Sequence, residues 1–529
     1  MRIAVYDTTL RDGTQREGIS LGVEDKLAVI ARLDALGVAF VEAGWPGSNP
    51  KDAELFVRAR ELRLRHAALA AFGATRRAGI AAADDPNLAA LLAAATPVCT
   101  IFGKSWTLHV DDVLRVERTE NLAMIEESVA HLRAAGRRVV YDAEHFFDGY
   151  AADPGYALDT LRAAARGGAE VLVLCETNGG RLPEEVAAAV LAAGTIGVPL
   201  GIHAHDDSGC AVANTLAAVR AGAVHVQGTV NGYGERCGNA NLCTIIPNLE
   251  LKLGKRCLPE GSLVTLVETA RFVAEVANLP PDDHQPYVGR SAFAHKGGVH
   301  VAAMRRNATS YQHIDPGLVG NHSRVVVSEL SGRGNVLAKA EELGVDIDAG
   351  AETRVLASIK DAEARGFSYE AAEGSVALLL RRQDADYVPP FRIVDWKVLS
   401  TPTGSEAMLK VRVGDRLVHT AADGHGPVSA LDAALRKALA PELPHAATIQ
   451  LHDYKVRILD GRLGTAAVTR VLVTSGDGER TFCTVGASAS ILEASLAALA
   501  DGFELGLTDR IGTKDRDGGS SPRIEEKTA

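Results

Sequence analysis

Over residues 1–275, short apolar runs alternate with Ala- and Leu-rich stretches of helical period. The runs fall at 3–6, 40–42, 66–72, 98–102, 139–142, 171–175, 200–202 and 224–228, eight in all. A short continuous apolar run bounded by polar residues reads as a buried strand. Each run is followed by a helix-period segment, 214–221 after the seventh being one example. Strands alternating with helices predict βα units around a parallel sheet. Eight such units over roughly 250 residues match the size of a (β/α)₈ barrel. An open doubly wound sheet is the rival. It has no need of eight units, and the first βα turn carries no GxGxxG.

The pattern changes after residue 275. The segment Leu279-Pro-Pro-Asp-Asp-His-Gln-Pro286 breaks it, and helical stretches follow at 335–343 and 352–366. Pro389-Pro390 marks the next boundary. Beyond it, strand patterns at 407–413, 416–420, 448–458 and 469–473 mix with helical ones at 429–440 and 490–500. The predicted architecture is α/β: a barrel over 1–275, a mostly helical linker over 276–390, an α+β regulatory domain over 391–507, and a disordered polar tail over 508–529. No internal repeat is evident beyond the βα period.

Composition narrows the function classes. The chain has 529 residues, 47% hydrophobic and 23% charged, ordinary values for a water-soluble globular protein. Basic residues number 56 against 67 acidic, net −11. With no basic stripe, nucleic-acid binding is not expected. No apolar run approaches the ~20 residues that span a bilayer. The start has no signal-peptide pattern, so a cytoplasmic protein is expected. The seven cysteines are scattered without a CxxC pair, which argues against a disulfide framework.

The active site of such a barrel lies at the C-terminal ends of its strands, and the polar residues cluster there. Strand one ends in Asp7-Thr-Thr-Leu-Arg-Asp-Gly-Thr-Gln15 and strand two in Glu42-Ala-Gly-Trp45. Strands four to six end in Lys104, Asp142-Ala-Glu144 and Glu176-Thr177-Asn178. Strand seven ends in His203-Ala-His205-Asp-Asp. Residues two apart on a strand face the same side, so both imidazoles address one point. Asp12, Glu42, Asp206, Asp207, Glu235 and Asn239 offer oxygen donors at neighbouring ends. A mixed N/O set favours Mg²⁺, Mn²⁺, Zn²⁺ or Co²⁺. Alternatively the two histidines are hydrogen-bonded residues at a strand end. Arg11 beside a cation would hold a carboxylate or steady an enolate oxygen, or else form an ordinary rim ion pair. Glu144 is an acid/base candidate or a structural partner. Gly232, Gly234 and Gly238 mark a tight turn.

Three motifs carry a resemblance: the strand-one segment, His203-Ala-His205-Asp-Asp, and Asn231-Gly-Tyr-Gly-Glu-Arg-Cys-Gly-Asn-Ala-Asn241. Together they resemble the family of 2-isopropylmalate, homocitrate and citramalate synthases, within a wider group that includes hydroxymethylglutaryl-CoA lyase. The resemblance covers about residues 3–505. It implies a metal-dependent TIM-barrel acyltransferase with Asp12, His203, His205 and Asn239 as ligands of Mg²⁺, Mn²⁺ or Zn²⁺. It gives Arg11 a role in holding the 2-oxo acid and steadying enolate charge. Thr177 and Gln15 are implied to bind substrate, and Glu144 to deprotonate acetyl-CoA, the co-substrate. His300 is implied to be a catalytic residue lent to the partner subunit of a homodimer, with Tyr311 catalytic and Asn307 substrate-binding nearby. The family often has Asn where Asp206 stands.

The segments Ala71-Phe-Gly-Ala-Thr-Arg77 and Phe102-Gly-Lys-Ser-Trp-Thr-Leu-His-Val110 resemble the branch that takes pyruvate. The expected reaction is then a Claisen condensation and thioester hydrolysis giving (R)-citramalate, on a threonine-independent route to isoleucine. Alternatives are condensation with 2-oxoisovalerate, as in 2-isopropylmalate synthases, or carbon–carbon cleavage by a lyase or aldolase on the same barrel. The resemblance also implies that the C-terminal domain dimerises and binds a branched-chain amino acid, isoleucine in this branch.

Overall fold

A computed structural model describes residues 2–348 and 350–514, with side chains to Thr508. The chain divides into two compact units, residues 1–293 with 314–323, and residues 294–313 with 324–529.

The first unit is a closed barrel of eight parallel strands in chain order. They are β1 (Ala4–Asp7), β2 (Phe40–Gly44), β3 (Ala68–Ala74), β4 (Val98–Lys104), β5 (Arg138–Glu144), β6 (Val171–Glu176), β7 (Leu200–Ala204) and β8 (His225–Gly228). Closure is made by β1 on β8, with Ala4 opposite His225 and Asp7 opposite Gly228. Both strand faces are covered, which is why the runs are continuous rather than alternating. Tyr6, Phe40, Ala70, Val98, Val140 and Val173 fill the interior. Val5, Val41, Ala71, Cys99, Leu172, Ile202 and Val226 pack outward under the helices.

Three of those helices start with the same local device. Asn49-Pro50, Asp85-Pro86 and Asp153-Pro154 each place a side-chain acceptor at the cap and a proline in the first turn. The acceptor meets a backbone N–H that the helix cannot use, and the proline has none to waste.

The second unit opens with β9 (Ala294–His295) paired to β10 (Arg324–Val325). Helices at Gly298–Arg306, Arg333–Glu342, Ala351–Ala364 and Glu373–Arg381 follow. Then come β11 (Arg392–Thr401), β12 (Gly404–Val413) and β13 (Arg416–Gly424) with the helix Pro427–Leu439. Next are β14 (Gln450–Ile458), β15 (Thr469–Gly476) and β16 (Thr481–Ser488) with the helix Ile491–Lys514. Each triplet is one antiparallel sheet in chain order. This is a repeated βββα unit, and it corrects the expectation of no further repeat. β11 and β16 were not foreseen. In β11 a register shift between Ile393 and Asp395 breaks the alternation that a strand pattern needs.

The final helix continues to Lys514, so the expected tail does not begin at Thr508. Residues 515–529 lie outside the described residues. All seven cysteines are free thiols. No helix among the described residues is long and apolar enough to cross a membrane.

Candidate active site at the barrel mouth

The C-terminal rim of the barrel encloses a cavity of about 220 Å³. Arg11, Asp12, Gln15, Trp45, Phe72, Phe102, Asp142, Glu144, Thr177, His203, His205 and Glu235 are among its lining residues. Five of the eight strand ends contribute polar groups to it, and the other three contribute aromatic rings. The chain leaves β1 through a turn into the short helix Gly13–Gln15, so the adjacent Arg11 and Asp12 both face inward.

Asp12, His203 and His205 bring three ligand atoms within 4.8 Å of one another, all buried. His203 Nε2 lies 3.1 Å from Asp12 Oδ2, and His205 Nε2 lies 3.9 Å from the same oxygen. Asn239 sits on the segment bridged to His205 and donates through Nδ2 to the Tyr233 carbonyl at 3.1 Å. Its Oδ1 is buried with no hydrogen-bond partner among the described residues. Such an orphan costs about 1–3 kcal/mol unless something meets it.

Burial alone would raise the Asp12 carboxyl, but Arg11 and the bond from His203 outweigh it and hold it far below the usual range. His203 is pushed the other way, its burial cost overcome by Asp12. His205 is lowered to about 3 by burial and by its histidine neighbour.

Arg11 is fixed on two sides. Its Nε donates to Glu42 Oε1 at 2.5 Å, and its guanidinium carbon lies 3.8 Å from the centre of the Phe72 ring. Glu42 is fully buried and also accepts from the Tyr6 hydroxyl at 2.7 Å. Glu42 therefore serves Arg11, not a cation, which corrects its place among the oxygen donors. Asp206 is also engaged, its Oδ1 accepting from the Ala211 N–H at 2.9 Å. Asp207 is taken by Arg236, whose Nε lies 2.7 Å from its Oδ1. Arg236 Nη2 lies 3.0 Å from His205 Nδ1.

Glu144 pairs with Lys104, which lies opposite it in the β4–β5 register. Thr177 Oγ1 accepts from the His145 N–H at 3.0 Å, which leaves its own hydrogen free to donate. Phe72 and Phe102 stack at 5.5 Å, and Trp45 stands edge-on to both, making one aromatic wall. Cys237 is exposed. His300 and Tyr311 belong to the second unit, where their rings stack at 4.1 Å. Asn307 caps the short turn at Ala308–Ser310.

Comparisons with known proteins identify the family. A family model described as HMGL-like matches residues 2–273, just over half of the chain. An (R)-citramalate synthase of Synechocystis sp. is 53% identical over 523 residues, covering 95% of this chain and 96% of that protein. The chain belongs to the HMGL-like family, in its citramalate synthase branch. A second (R)-citramalate synthase, from Geobacter sulfurreducens, is 50% identical over 95% of this chain and 97% of its own. A 2-isopropylmalate synthase of Methanocaldococcus jannaschii is 28% identical over 96% of this chain and 95% of its own.

Two more models follow the HMGL-like barrel. One, homocitrate synthase post-HMGL domain-like, matches residues 287–366. The other, LeuA allosteric (dimerisation) domain, matches residues 370–507, which takes in the first βββα unit and most of the second.

The sequence reading missed Gln227 and the use of Asp142. Both are buried at the heart of this HMGL-like barrel. A signal was there: a glutamine inside the apolar run at 224–228 has no place in a barrel unless something bonds it.

Proposed function

We propose that the chain condenses acetyl-CoA with pyruvate and hydrolyses the thioester, giving (R)-citramalate and free CoA. The meeting of Asp12, His203, His205 and Arg11 in one cavity carries this reading. Likeness over nearly the whole chain to proteins named (R)-citramalate synthase supports pyruvate as the acceptor. The cavity volume agrees. At about 220 Å³ it is below the ~300–1,000 Å³ of ordinary ligand pockets. It suits a three-carbon acid and an acetyl end, with the rest of CoA outside.

Asp12, His203, His205 and Asn239 fit a divalent cation, Mg²⁺, Mn²⁺ or Zn²⁺, for two reasons. Their donors are mixed nitrogen and oxygen, and Asn239 Oδ1 waits without a partner. For His205 to ligate through Nε2, its ring hydrogen must sit on Nδ1, and Arg236 must yield that position. A cation bound there supplies Lewis-acid polarisation of the substrate ketone.

The chain's own groups do the rest. Arg11 points its guanidinium at the oxygen on which charge develops, and Glu42 and Phe72 prevent it from turning away. Thr177 donates its free hydroxyl hydrogen to the substrate carboxylate, with Gln15 at the mouth. Glu144, its rotamer held by Lys104, takes a proton from the acetyl methyl group. The carbanion closes a carbon–carbon bond to the ketone carbon as the carbonyl π pair moves onto its oxygen, which takes up a proton to become the tertiary alcohol. Water then adds to the thioester, and CoA leaves as a thiol.

The LeuA-type domain supports a homodimer, with His300, Asn307 and Tyr311 serving the partner subunit's chemistry and isoleucine as effector. The decisive experiment is thiol release from acetyl-CoA with Mg²⁺ or Mn²⁺ across a panel of 2-oxo acids. 2-Oxoisovalerate carries two more carbons than pyruvate, and each misfitted carbon in a walled pocket is worth roughly 10–200-fold, so pyruvate is expected to exceed it by at least that factor. Faster release with 2-oxoisovalerate would replace this reading with that of a 2-isopropylmalate synthase. No thiol release with any acid would favour a lyase.

A further inference from the structure

His203 is held by a buried chain of hydrogen bonds that none of the roles above uses. Its Nδ1 lies 2.9 Å from Gln227 Oε1, and Gln227 Nε2 lies 3.0 Å from Asp142 Oδ1. All three side chains are buried: His203 is 5% exposed, Gln227 0% and Asp142 3%. The barrel register builds the contact, since His203 on β7 stands directly opposite Gln227 on β8.

We infer that Gln227 and Asp142 are positioning residues that lock His203 in the tautomer whose Nε2 faces Asp12. The inference rests on the reading of Asp12, His203 and His205 as ligands of a divalent cation.

The argument has one direction at each step. His203 Nε2 is the nitrogen near Asp12, so Nε2 is the atom offered to a cation. An imidazole that gives its Nε2 lone pair to a cation carries its hydrogen on Nδ1. That hydrogen needs an acceptor, and the atom facing it must be the Gln227 oxygen, not the nitrogen. An amide can present either end, so something must choose. Asp142 chooses, because its Oδ1 faces the amide nitrogen and an unprotonated carboxyl oxygen only accepts, which holds the amide NH₂ on its own side.

Without the carboxylate the amide is free to turn. Its NH₂ would then face His203 Nδ1 and pull the ring hydrogen onto Nε2, closing the ligand position. A proton shared between His203 Nε2 and Asp12 leaves the same bond at Nδ1, so the lock holds before and after a cation arrives. Outer partners of ligating histidines typically set metal affinity by 10–100-fold.

The test has two readouts. The first is ¹⁵N NMR of the metal-free full-length protein with labelled histidine, His203 being assigned by the signal lost in His203→Gln. At a pH where the ring is neutral, the wild type is expected to carry its single hydrogen at His203 Nδ1, and Gln227→Leu and Asp142→Leu to lose that preference. The second is calorimetric titration with Mn²⁺. Gln227→Leu and Asp142→Leu are expected to bind 10–100-fold more weakly. Asp142→Asn, which can present either an acceptor or a donor to the amide, is expected to fall between the wild type and Asp142→Leu.

A wild-type His203 with a bare Nδ1 overturns the inference whatever the variants do. So does Gln227→Leu binding Mn²⁺ as tightly as the wild type with an unchanged ring signal. If the wild type itself binds no Mn²⁺, the cation reading fails, and the Nδ1 signal alone then decides whether the lock exists.

Discussion

Arg11 and His225 show how far a buried group's fate depends on its partners. Arg11 is half-buried against Glu42 and Asp12, and its guanidinium is held more firmly charged than usual despite its partial burial. Breaking such a pair from one side typically costs 3–5 kcal/mol, because the other charge is left behind. Arg11→Gln is therefore expected to lose stability and about 10²–10³-fold in kcat/KM for pyruvate. Cation affinity by calorimetry is expected to stay level or tighten, since a nearby positive charge is gone. Weaker cation binding in that variant would mean that Arg11 builds the ligand set instead of serving the acid. His225 is the contrary case. It packs with Tyr6 and Phe40 inside the barrel, and both of its ring nitrogens are buried without partners among the described residues. Burial lowers it from 6.5 to about 3. Above pH 6.5 the ring is neutral folded or unfolded and has no effect on stability. Between 6.5 and 3 only the unfolded chain takes the proton, so stability falls by ~1.4 kcal/mol per pH unit. His225→Phe keeps the ring packing and removes the loss. Going from pH 7.5 to 5.0, it is expected to keep ~2 kcal/mol that the wild type gives up. Denaturant unfolding in a Trp396→Phe background, with Trp45 and Trp106 of the barrel as reporters, measures the difference.

The loop after β8 is the element on which Asn239 depends. Gly232, Gly234 and Gly238 all have positive φ, and the Gly238 position is the most constrained. A Cβ there would stand 2.0 Å from the Gly232 carbonyl oxygen, and one at Gly234 would stand 2.2 Å from Asn239 Nδ2. Gly238→Ala is expected to shift Asn239, weakening Mn²⁺ binding and thiol release at least tenfold while far-UV circular dichroism is unchanged. An unaffected Mn²⁺ affinity would remove Asn239 from the ligand set. The eight strands and this glycine turn were legible in the sequence because both follow from local chemistry, buried apolar runs and a repeated need for positive φ. The convergence of His203 and His205 was legible for the same reason, as a period of two on one strand. What no local pattern carries is which oxygen belongs to which partner. Glu42, Asp206 and Asp207 looked as suitable as Asp12 until the register put Arg11, the Ala211 N–H and Arg236 beside them. Gln227 meets His203 only through strand pairing, which single-strand periodicity does not encode.

At the scale of the whole chain, order was easier to read than symmetry. The succession of barrel, helical region and α+β domain follows from changes of period. The βββα repeat does not, because each central strand alternates cleanly while β11 and β14 are mostly exposed and carry no buried stripe. In β12, Ala407, Leu409, Val411 and Val413 face the core in strict alternation. A domain with long exposed strands leaves surface that water does not favour keeping bare, which supports association of two chains. The proposed homodimer has a consequence that subunit mixing can measure. His300→Ala and Arg11→Ala are each expected to be nearly inactive alone. Mixed and allowed to exchange, half of the dimers carry one subunit of each kind. If His300 serves the partner subunit's barrel, one site in each mixed dimer has both an intact Arg11 and an intact His300. The mixture then recovers about a quarter of the wild-type thiol-release rate, by the two-fold symmetry of such a dimer. If His300 serves its own barrel, every site in the mixture lacks one group or the other, and no activity returns.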